Sequence, residues 1–399
     1  MEKVVLFQNE QDCCGCSACM NICPKQAITM QPDALGFVYP QIDATKCIQC
    51  GLCQRVCAFK KDYDRTENLG EPLAYAARHR DILELKRSQS GAMFIALSDY
   101  VFALGGSVYG AGYTEHFRVV HKRAITKEER DEFRGSKYVQ SDLSNIFAQV
   151  KQDLQSGLTV LFTGTPCQVA GLRSFLQLAH ADMEKLILVD MVCHGVPSPF
   201  YWRDYLAYLE ARQGSKIVTV KFRDKASFGW NTGTATYRYA QDSTVYTYGN
   251  SFYQELLFRH SCSACPFANT VRPGDITIGD FWGWEKAVPN FYPDNKGTSL
   301  VLVNTYKGKE IFAAIQDSIH CVQAELELCL QPNLRQPTAR HPLSAAFAED
   351  YEQHGYAYVA EKYGDWGWKC RLKDKLRNIK NNNYALTLLW KGVKIILKR

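Results

Sequence analysis

The alternation of apolar and polar residues predicts regular elements from residue 72 onward. Residues 73–77 form an apolar run of strand length, and residues 91–104 form an apolar run of helix length that ends at two glycines. Residues 108–111 then predict a second short strand. We place the first part of a domain at residues 72–155 because it begins with this strand, helix and strand.

The same pattern recurs further along the chain. Residues 159–162 are β-branched and aromatic, Gly164 breaks the run, and Thr165-Pro166 supplies the N-cap and first-turn proline with which helices begin. Residues 186–192 (LILVDMV) predict a continuous buried strand, and residues 199–212 predict a helix. Strands that alternate with helices are typical of an α/β core.

Short β runs dominate residues 216–303, with residues 232–239 and 275–278 the clearest, so we expect a mixed sheet there. We place the second part of the domain at residues 156–305, and a helical or irregular extension at residues 306–368. The fold class expected for the whole chain is multidomain, with α+β and α/β parts.

Length and charge narrow the class of protein. A chain of 399 residues, 46% of them hydrophobic, can bury more than one core. No uncharged apolar run reaches the roughly eighteen residues of a membrane-spanning helix, and the apolar run after Met1 is too short for a secretion signal. We therefore expect a cytoplasmic protein. The net charge of +6 belongs to the tail, because residues 369–399 hold ten lysines and arginines against one aspartate.

Cysteines are concentrated at the start of the chain. Nine of the 16 lie in the first 57 residues, and eight of these form two copies of the spacing C-x2-C-x2-C-x3-C. This spacing predicts two cubane 4Fe-4S clusters, with the fourth cysteine of each run bound to the other cluster. Cluster one would take Cys13, Cys16, Cys19 and Cys57, and cluster two would take Cys47, Cys50, Cys53 and Cys23. Cys14 is left over. We place the dicluster ferredoxin domain at residues 1–61 and a polar linker at residues 62–71.

Zinc and disulfides are the alternatives for these cysteines. Structural zinc sites use paired C-x-x-C units, which leaves no role for a third cysteine at the same spacing and a fourth after three residues. Disulfides need an oxidising compartment, which the cytoplasm does not offer. Both alternatives are therefore disfavoured.

A second group of cysteines lies outside the head. Cys167 and Cys193 each follow a predicted strand, and Cys262 and Cys265 form a C-x-x-C unit. Because ligands gather at the carboxyl ends of strands in open α/β sheets, these four thiols are candidates for a third 4Fe-4S cluster. Two interpretations stay open beside it: redox chemistry at Cys167, near a helix start, and plain buried cysteine. The remaining three are isolated and predicted to be structural: Cys321, Cys329 and Cys370.

Seven motifs follow one another in an order that resembles the coenzyme F-420 hydrogenase/dehydrogenase beta-subunit family, here with a ferredoxin module in front. The resemblance covers residues 72–305. The motifs are RSQSG (87–91), GSVYGA (106–111), RGSKYVQS (134–141), GTPCQVAGL (164–172), VCHG (192–195), CSACPF (262–267) and GDITIGDFWG (274–283).

The resemblance implies an FAD-binding α/β domain with an iron-sulfur cluster beside the flavin, which favours the third cluster. It places flavin contacts in three motifs, at Ser88, Ser90 and Gly91, at Gly135, Ser136, Lys137 and Tyr138, and at Gly164 and Thr165. The backbone N–H groups of Ser90-Gly91 precede a helix and suit a pyrophosphate, although N-capping explains such serines equally well. No G-x-G-x-x-G fingerprint follows a strand, so a conventional NAD site is not indicated.

Two residues of these motifs are candidates for catalysis. A positive charge at Lys137 would favour a reduced, anionic flavin. His194 could donate a hydrogen bond to cluster sulfur or a proton at the flavin, and a satisfied core histidine is the alternative.

The tail carries a separate pattern. Residues 384–399 place apolar side chains on one helical face and basic side chains off it, and residues 369–380 form a first basic segment. Such a basic amphipathic tail indicates peripheral contact with anionic lipid, and docking onto protein is the alternative. Nucleic acid is not an expected partner.

Together these features predict an enzyme of anaerobic metabolism: an FAD-dependent iron-sulfur oxidoreductase that passes electrons between its 4Fe-4S clusters and FAD. Deazaflavin coenzyme F-420 or another small molecule would be the further donor or acceptor. The alternative is an electron-delivery subunit without a substrate of its own, serving a partner enzyme. A third interpretation is a structural or sensing protein that carries clusters.

Overall fold

The computed structural model describes residues 4–60, 66–241, 244–247 and 255–364. The chain divides into two compact units. The first comprises Met1–Arg203, Lys225–Thr232 and Phe258–Arg340, and the second comprises Asp204–Asp224, Gly233–Leu257 and His341–Arg399. The predicted basic tail, residues 369–399, lies outside the described residues.

Thirteen strands and their helices are defined within the described residues. The strands are β1 (Ile28–Pro32), β2 (Val38–Ile42), β3 (Asn68–His79), β4 (Ser107–Tyr113), β5 (Val119–Ala124), β6 (Val160–Gly164), β7 (Leu186–Met191), β8 (Ile217–Lys221), β9 (Ala235–Tyr239), β10 (Thr244–Thr247), β11 (Ile276–Asp280), β12 (Ser299–Thr305) and β13 (Ile319–Ala324). The first nine α-helices are α1 (Ala18–Asn21), α2 (Leu52–Arg55), α3 (Ile82–Arg87), α4 (Met93–Ala103), α5 (Lys127–Asp131), α6 (Ile146–Gln155), α7 (Pro166–Leu178), α8 (Pro199–Gln213) and α9 (Lys225–Phe228). Later α-helices are Trp284–Ala287, Tyr306–Ala314, Leu326–Cys329 and Ser344–Lys362, and 3-10 turns lie at Glu10–Asp12, Glu115–Phe117, His260–Ala264, Gln316–Ser318 and Pro332–Leu334.

A mixed sheet forms the centre of the first unit. Its eight described strands run in the order β13-β3-β12-β11-β7-β6-β4-β5. The four strands β11, β7, β6 and β4 are parallel to one another, and antiparallel strands flank them on both sides. The carboxyl ends of β6, β7 and β11 therefore meet at one edge, where open α/β sheets gather their ligands. The expected mixed α/β architecture is confirmed.

The strand-to-helix junction at β6 and α7 follows the local sequence. Thr165 caps α7 and shares a capping box with Gln168, while Pro166 occupies the first turn. The capping box satisfies backbone N–H groups that a helix start leaves without partners, and Pro166 removes one such group because it has no N–H. The junction thereby fixes where the residue after Pro166 points relative to the sheet edge.

Three predicted boundaries differ from the structure. Strand β3 begins at Asn68, inside the segment predicted as a linker, because it pairs as far as Thr305 of β12. Strand β6 runs through Gly164 instead of ending before it. Strand β13 lies in the predicted helical or irregular extension, where it joins the sheet edge beside β3.

The cysteine-rich head belongs to the first unit. Strands β1 and β2 form an antiparallel hairpin, and the short helices α1 and α2 follow the two cysteine loops. Ala18 and Val56 from the head share one apolar core with Phe147 of α6 and Leu172 of α7. The head is therefore packed on these two helices through buried apolar surface, which a flexible linker would not require.

The second unit contains a separate antiparallel sheet, β8-β9-β10. The helix Ser344–Lys362 is interrupted at Gly355, whose φ is 74°, and the Tyr351 hydroxyl of this helix donates to Asp204. In the described part of the chain, no helix combines the length and the apolar character needed to cross a membrane.

Candidate metal centres

Four cysteines of the head lie close together at what we call site one: Cys13, Cys16, Cys19 and Cys57. Burial raises the pKa of Cys19 well above its ordinary value, and the charges of the other three raise that pKa further. Burial likewise raises the pKa of Cys13 and of Cys57. Partly buried thiols whose charged forms repel one another are stabilised as thiolates by bound metal, which supplies positive charge.

A second group in the head, site two, lines one cavity: Cys23, Cys47, Cys50 and Cys53. The backbone N–H of Ala27 donates to Cys23 Sγ at 3.3 Å. Cys50 is exposed, and so is Ile48 between the cysteines, with 57% of its surface accessible. In both sites the fourth cysteine of one run lies with the first three of the other, as the spacing predicts for ligands.

The third group, site three, brings together cysteines that are far apart in the sequence. Cys167, Cys193, Cys262 and Cys265 line a single cavity. Cys167 lies in the first turn of α7 and Cys193 follows β7, so both lie at the carboxyl edge of the central sheet. Burial raises the pKa of Cys193 well above its ordinary value, that of Cys262 to about 12 and that of Cys265 to about 11.

Cys14, left over by the spacing, lies between sites one and three. Its side chain is buried and borders the cavity of site three. Hydrogen bonds with Cys16 and Cys167 raise the pKa of Cys14, and the same hydrogen bond lowers the pKa of Cys167 to about 7. Thr165 Oγ1 also lies 3.3 Å from Cys167 Sγ. Cys14 therefore stays a neutral thiol beside two cysteines that lose their protons more easily.

A buried ion pair fixes the loop that carries Cys262 and Cys265. Arg272 lies 2.7 Å from Asp190 of β7, and both side chains are almost wholly buried. Arg272 also donates to the carbonyl of Phe267 at 2.6 Å and to that of Met191 at 2.9 Å. Sequence reasoning missed this pair, although a lone carboxylate in the apolar run 186–192 is its signal.

Arg259 is another residue that sequence reasoning missed. Its guanidinium is 1% exposed and donates to the carbonyl of Cys13 at 2.8 Å, to that of Val38 at 3.0 Å and to Gln140 Oε1 at 2.9 Å. Gln140 in turn donates to the carbonyl of Cys14 at 2.9 Å. One cationic side chain thus holds the loop of Cys13 and Cys14, directly and through Gln140.

The residues assigned to the flavin phosphates already have partners inside the chain. Ser88 Oγ accepts from Arg134 at 2.8 Å, and the N–H of Gly91 donates to Ser299 Oγ at 2.9 Å. Ser90 Oγ lies 2.9 Å from the carbonyl of Thr298. A bound pyrophosphate would have to displace these contacts, so this segment fits it poorly.

The second flavin motif is more open. Gly135 has a φ of 78° and no atom near the position of a β-carbon, and Ser136 is exposed. Lys137 donates to the carbonyls of Glu132 at 2.8 Å and Arg134 at 3.0 Å, which leaves one of its three donors for a ligand. Burial lowers the pKa of Lys137 to about 7.

The other assigned residues lie near site three or beside the open loop. His194 is exposed and borders the cavity of site three, as does Thr165, while Gly164 is buried at the end of β6. Tyr138 is partly buried next to Lys137. Cys321 donates to Gln316 and Cys329 to the carbonyl of Glu325, each four or five residues earlier in the chain, and Cys370 lies outside the described residues.

Single-ion sites differ from these groups in geometry. Among the described residues, no three His, Cys, Asp or Glu side chains converge closely enough to hold one metal ion. In a cubane each cysteine sulfur binds a different iron, so its four thiolates lie further apart than the ligands of one ion.

Two segments match known families. Residues 157–327 match the family that describes the C-terminal part of the coenzyme F420 hydrogenase/dehydrogenase beta subunit, and residues 12–61 match the 4Fe-4S dicluster domain. The chain therefore carries an N-terminal 4Fe-4S dicluster domain and a redox-related C-terminal region, which confirms the resemblance drawn from the motifs.

None of the curated proteins matches the chain. Among solved structures, a chain of the F420-reducing NiFe hydrogenase complex from Methanosarcina barkeri, in a xenon derivative, is 21% identical with a TM-score of 0.44. The match covers 75% of this chain and 95% of that one.

Proposed function

We propose that the chain is an iron-sulfur oxidoreductase that holds three cubane 4Fe-4S clusters. The ligands would be the cysteines of site one (Cys13, Cys16, Cys19, Cys57), of site two (Cys23, Cys47, Cys50, Cys53) and of site three (Cys167, Cys193, Cys262, Cys265). Such clusters supply one-electron transfer. The protein holds the thiolates in place, with Cys50 of site two exposed and the other eleven cysteines partly buried.

The observation that carries the proposal is the shared cavity of site three. Four thiols from three separate loops border one cavity at the carboxyl edge of the sheet. An inert buried cysteine would need no such convergence, and a redox disulfide would need only two of the four. The Arg272–Asp190 pair holds the Cys262–Cys265 loop against β7, so the convergence is built into the core.

FAD is the second cofactor that we propose. The open loop at Gly135, Ser136, Lys137 and Tyr138 fits a ligand better than Ser88, Ser90 and Gly91, whose polar groups are in use within the chain. FAD exchanges electron pairs with a small molecule and single electrons with clusters. Lys137 would bring its remaining N–H group to the flavin, and His194, with Thr165 beside it, faces the cavity of site three from the exposed side. A deazaflavin such as F-420 is our candidate substrate.

The exposure of site two favours electron exchange with a partner protein. Cys50 lies at the surface with Ile48 beside it, so electrons can enter or leave there by direct contact with a redox protein. The family that residues 157–327 match is described as a beta subunit. Electron delivery to a partner enzyme is therefore the second candidate function.

Anaerobic purification with iron counting and paramagnetic resonance tests the cluster assignment. We expect about twelve irons per chain, four for each cluster. The Cys262→Ser variant should lose about four, while Cys321→Ser should lose none because Cys321 lies in β13, outside the three sites, and donates to Gln316. An iron content near eight that Cys262→Ser leaves unchanged contradicts the third cluster, and zinc in place of iron contradicts all three.

Flavin released by denaturing the purified chain tests the second cofactor. We expect about one FAD per chain and a loss of flavin in Lys137→Met, with iron unchanged. Bleaching of the flavin band by reduced F-420 without added protein favours the enzyme. If the flavin band of the reduced chain returns only when an oxidised redox protein is added, the chain passes its electrons to that protein, and electron delivery is the function.

We also propose that the tail, residues 369–399, contacts anionic membrane surfaces, on the basis of its basic and amphipathic sequence alone. Deleting residues 381–399 should abolish co-sedimentation with phosphatidylserine vesicles. Co-sedimentation that survives the deletion contradicts this role.

A further inference from the structure

Arg259 is a buried cation whose hydrogen-bond acceptors are all neutral. It donates to two backbone carbonyls and to the Gln140 amide, and its guanidinium lies 4.2 Å from the centroid of the Tyr39 ring. No carboxylate of the described residues forms an ion pair with it. Burying a charge without an opposite charge is strongly unfavourable, so this position needs a source of negative charge.

Arg272 shows how the same fold treats a buried arginine elsewhere. Its guanidinium is equally buried but lies 2.7 Å from the buried carboxylate of Asp190. The fold therefore can pair a buried arginine with a buried carboxylate, and at Arg259 it does not. Something other than a carboxylate must balance the charge of Arg259.

The groups around Arg259 are the proposed cluster ligands. Arg259 borders the cavity of site three and holds the carbonyl of Cys13 from site one. The β-carbon that Gly15 lacks would lie 2.9 Å from a guanidinium nitrogen, so the glycine between Cys14 and Cys16 leaves room for it.

Other charges near Arg259 are weaker candidates for its counter-charge. Asp33 is close enough for Arg259 to lower its pKa, although burial, the larger effect, raises it. Glu10 is paired with His260, at 2.7 Å from Nδ1. Both acids are thus further from the guanidinium than a salt bridge requires. Site two has its own cavity, which Arg259 does not border.

We propose that Arg259 is a positioning and charge-balancing residue between sites one and three, and that it raises the reduction potentials of the clusters at these two sites but not at site two. The inference rests on the proposed function, because it needs those clusters. Each cluster with four thiolate ligands is anionic and gains one more negative charge on reduction. A fixed positive charge nearby therefore stabilises the reduced form more than the oxidised form. Electrons that enter at the exposed site two are thereby favoured to move inward.

Redox titration of the loaded protein with dithionite, followed by paramagnetic resonance, tests the proposal. In Arg259→Gln we expect the ratio of reduced to oxidised cluster at a fixed potential to fall roughly tenfold at sites one and three, the effect of a unit charge within about 10 Å at an effective dielectric constant near 20. For a one-electron couple this is a downward shift of about 59 mV. Site two is the internal control and should not shift.

A second variant covers the risk that Arg259→Gln fails to fold. Gln140→Glu keeps the length of the side chain and places a carboxylate where Arg259 now donates to an amide at 2.9 Å, although it loses the N–H that Gln140 donates to the carbonyl of Cys14. It should lower the same two potentials while leaving the guanidinium in place. Arg259→Lys keeps the charge and should retain most of the wild-type potentials.

Failure of the inference about Arg259 and failure of the proposed function give different results. If sites one and three keep their potentials in Gln140→Glu and Arg259→Gln, or if all three sites shift equally, Arg259 has no selective electrostatic role. If the loaded wild-type protein lacks a third cluster, the proposed function fails instead. Lower potentials at sites one and three alone support the inference.

Discussion

Replacing Gly171 with alanine tests how the head is attached to the central domain. Gly171 lies inside α7, and its missing β-carbon would lie 2.8 Å from Cys16 Sγ and 3.0 Å from Cys16 Cβ. Real β-carbons do not approach other atoms so closely, so either Cys16 or the helix must shift. Cys16 is held by its loop and by its contact with Cys14, which leaves little freedom to move away.

Helix propensity and overpacking act in opposite directions on the free energy of unfolding. Glycine to alanine inside a helix normally stabilises a protein by about 1 kcal/mol. Overpacking a buried contact costs about 1 to 3 kcal/mol. We therefore expect Gly171→Ala to leave the unfolding free energy unchanged or to lower it by up to about 2 kcal/mol, where an unattached head would allow a gain of about 1 kcal/mol.

Urea unfolding of the metal-free protein measures this free energy, and iron counting of the loaded protein measures the effect on site one. We expect a loss of about four irons, with site three still filled, since a cubane holds four. In a Cys16→Gly background the contact atoms are absent, so the same alanine should stabilise by about 1 kcal/mol. A stabilisation of that size with Cys16 present would refute the packing of the head on α7.

Three further changes have defined outcomes. Asp190→Asn leaves Arg272 buried without its counter-charge and should lower the unfolding free energy by about 3 kcal/mol or more; a loss under about 1 kcal/mol in urea unfolding would contradict an essential pair. His121 is buried between Ser141 Oγ at 2.8 Å and the Thr163 carbonyl at 2.9 Å, and burial lowers its pKa to about 4. Between pH 6.5 and 4 only the unfolded state then takes up a proton. The free energy of unfolding therefore decreases as the pH is lowered through that window, by about 2 kcal/mol from pH 7 to 5. His121→Gln should remove this part of the pH dependence, and equal slopes for both proteins would argue against a neutral buried histidine. Cys14→Ala should keep the wild-type iron content, because sites one and three have four cysteines each without it; a loss of about four irons would make Cys14 a ligand.

Local sequence signals predicted the elements on which the sites are built. The capping residues Thr165 and Pro166 marked the start of α7, and the run 186–192 marked β7, because both signals depend only on neighbouring residues. The doubled cysteine spacing indicated the dicluster domain for the same reason. Each of these predictions is confirmed by the structure or by the match of residues 12–61.

Contacts between distant residues could not be predicted in this way. The residues of strand β13, IHCVQA, do not alternate regularly between apolar and polar, and it is the pairing with β3 that makes them part of the sheet. Arg259 and Gln140 are 119 residues apart, and nothing near either of them in the sequence indicates a shared hydrogen bond. The spacing assigns no ligand role to Cys14, because it describes ligands within one loop. It does not indicate the contact between Cys14 and Cys167 of a distant loop.

Helix α7 connects the two inner sites through one face. Cys167 lies in its first turn, where the positive end of the helix dipole favours a thiolate, and Gly171 lies four residues later on the same face. Cys14 is hydrogen-bonded beside the first position and Cys16 packs against the second. The loop of Cys14 and Cys16 therefore meets α7 at two positions one helical turn apart. Because electron transfer depends on a fixed separation, a rigid helix shared by both sites would serve it better than two domains joined by a linker.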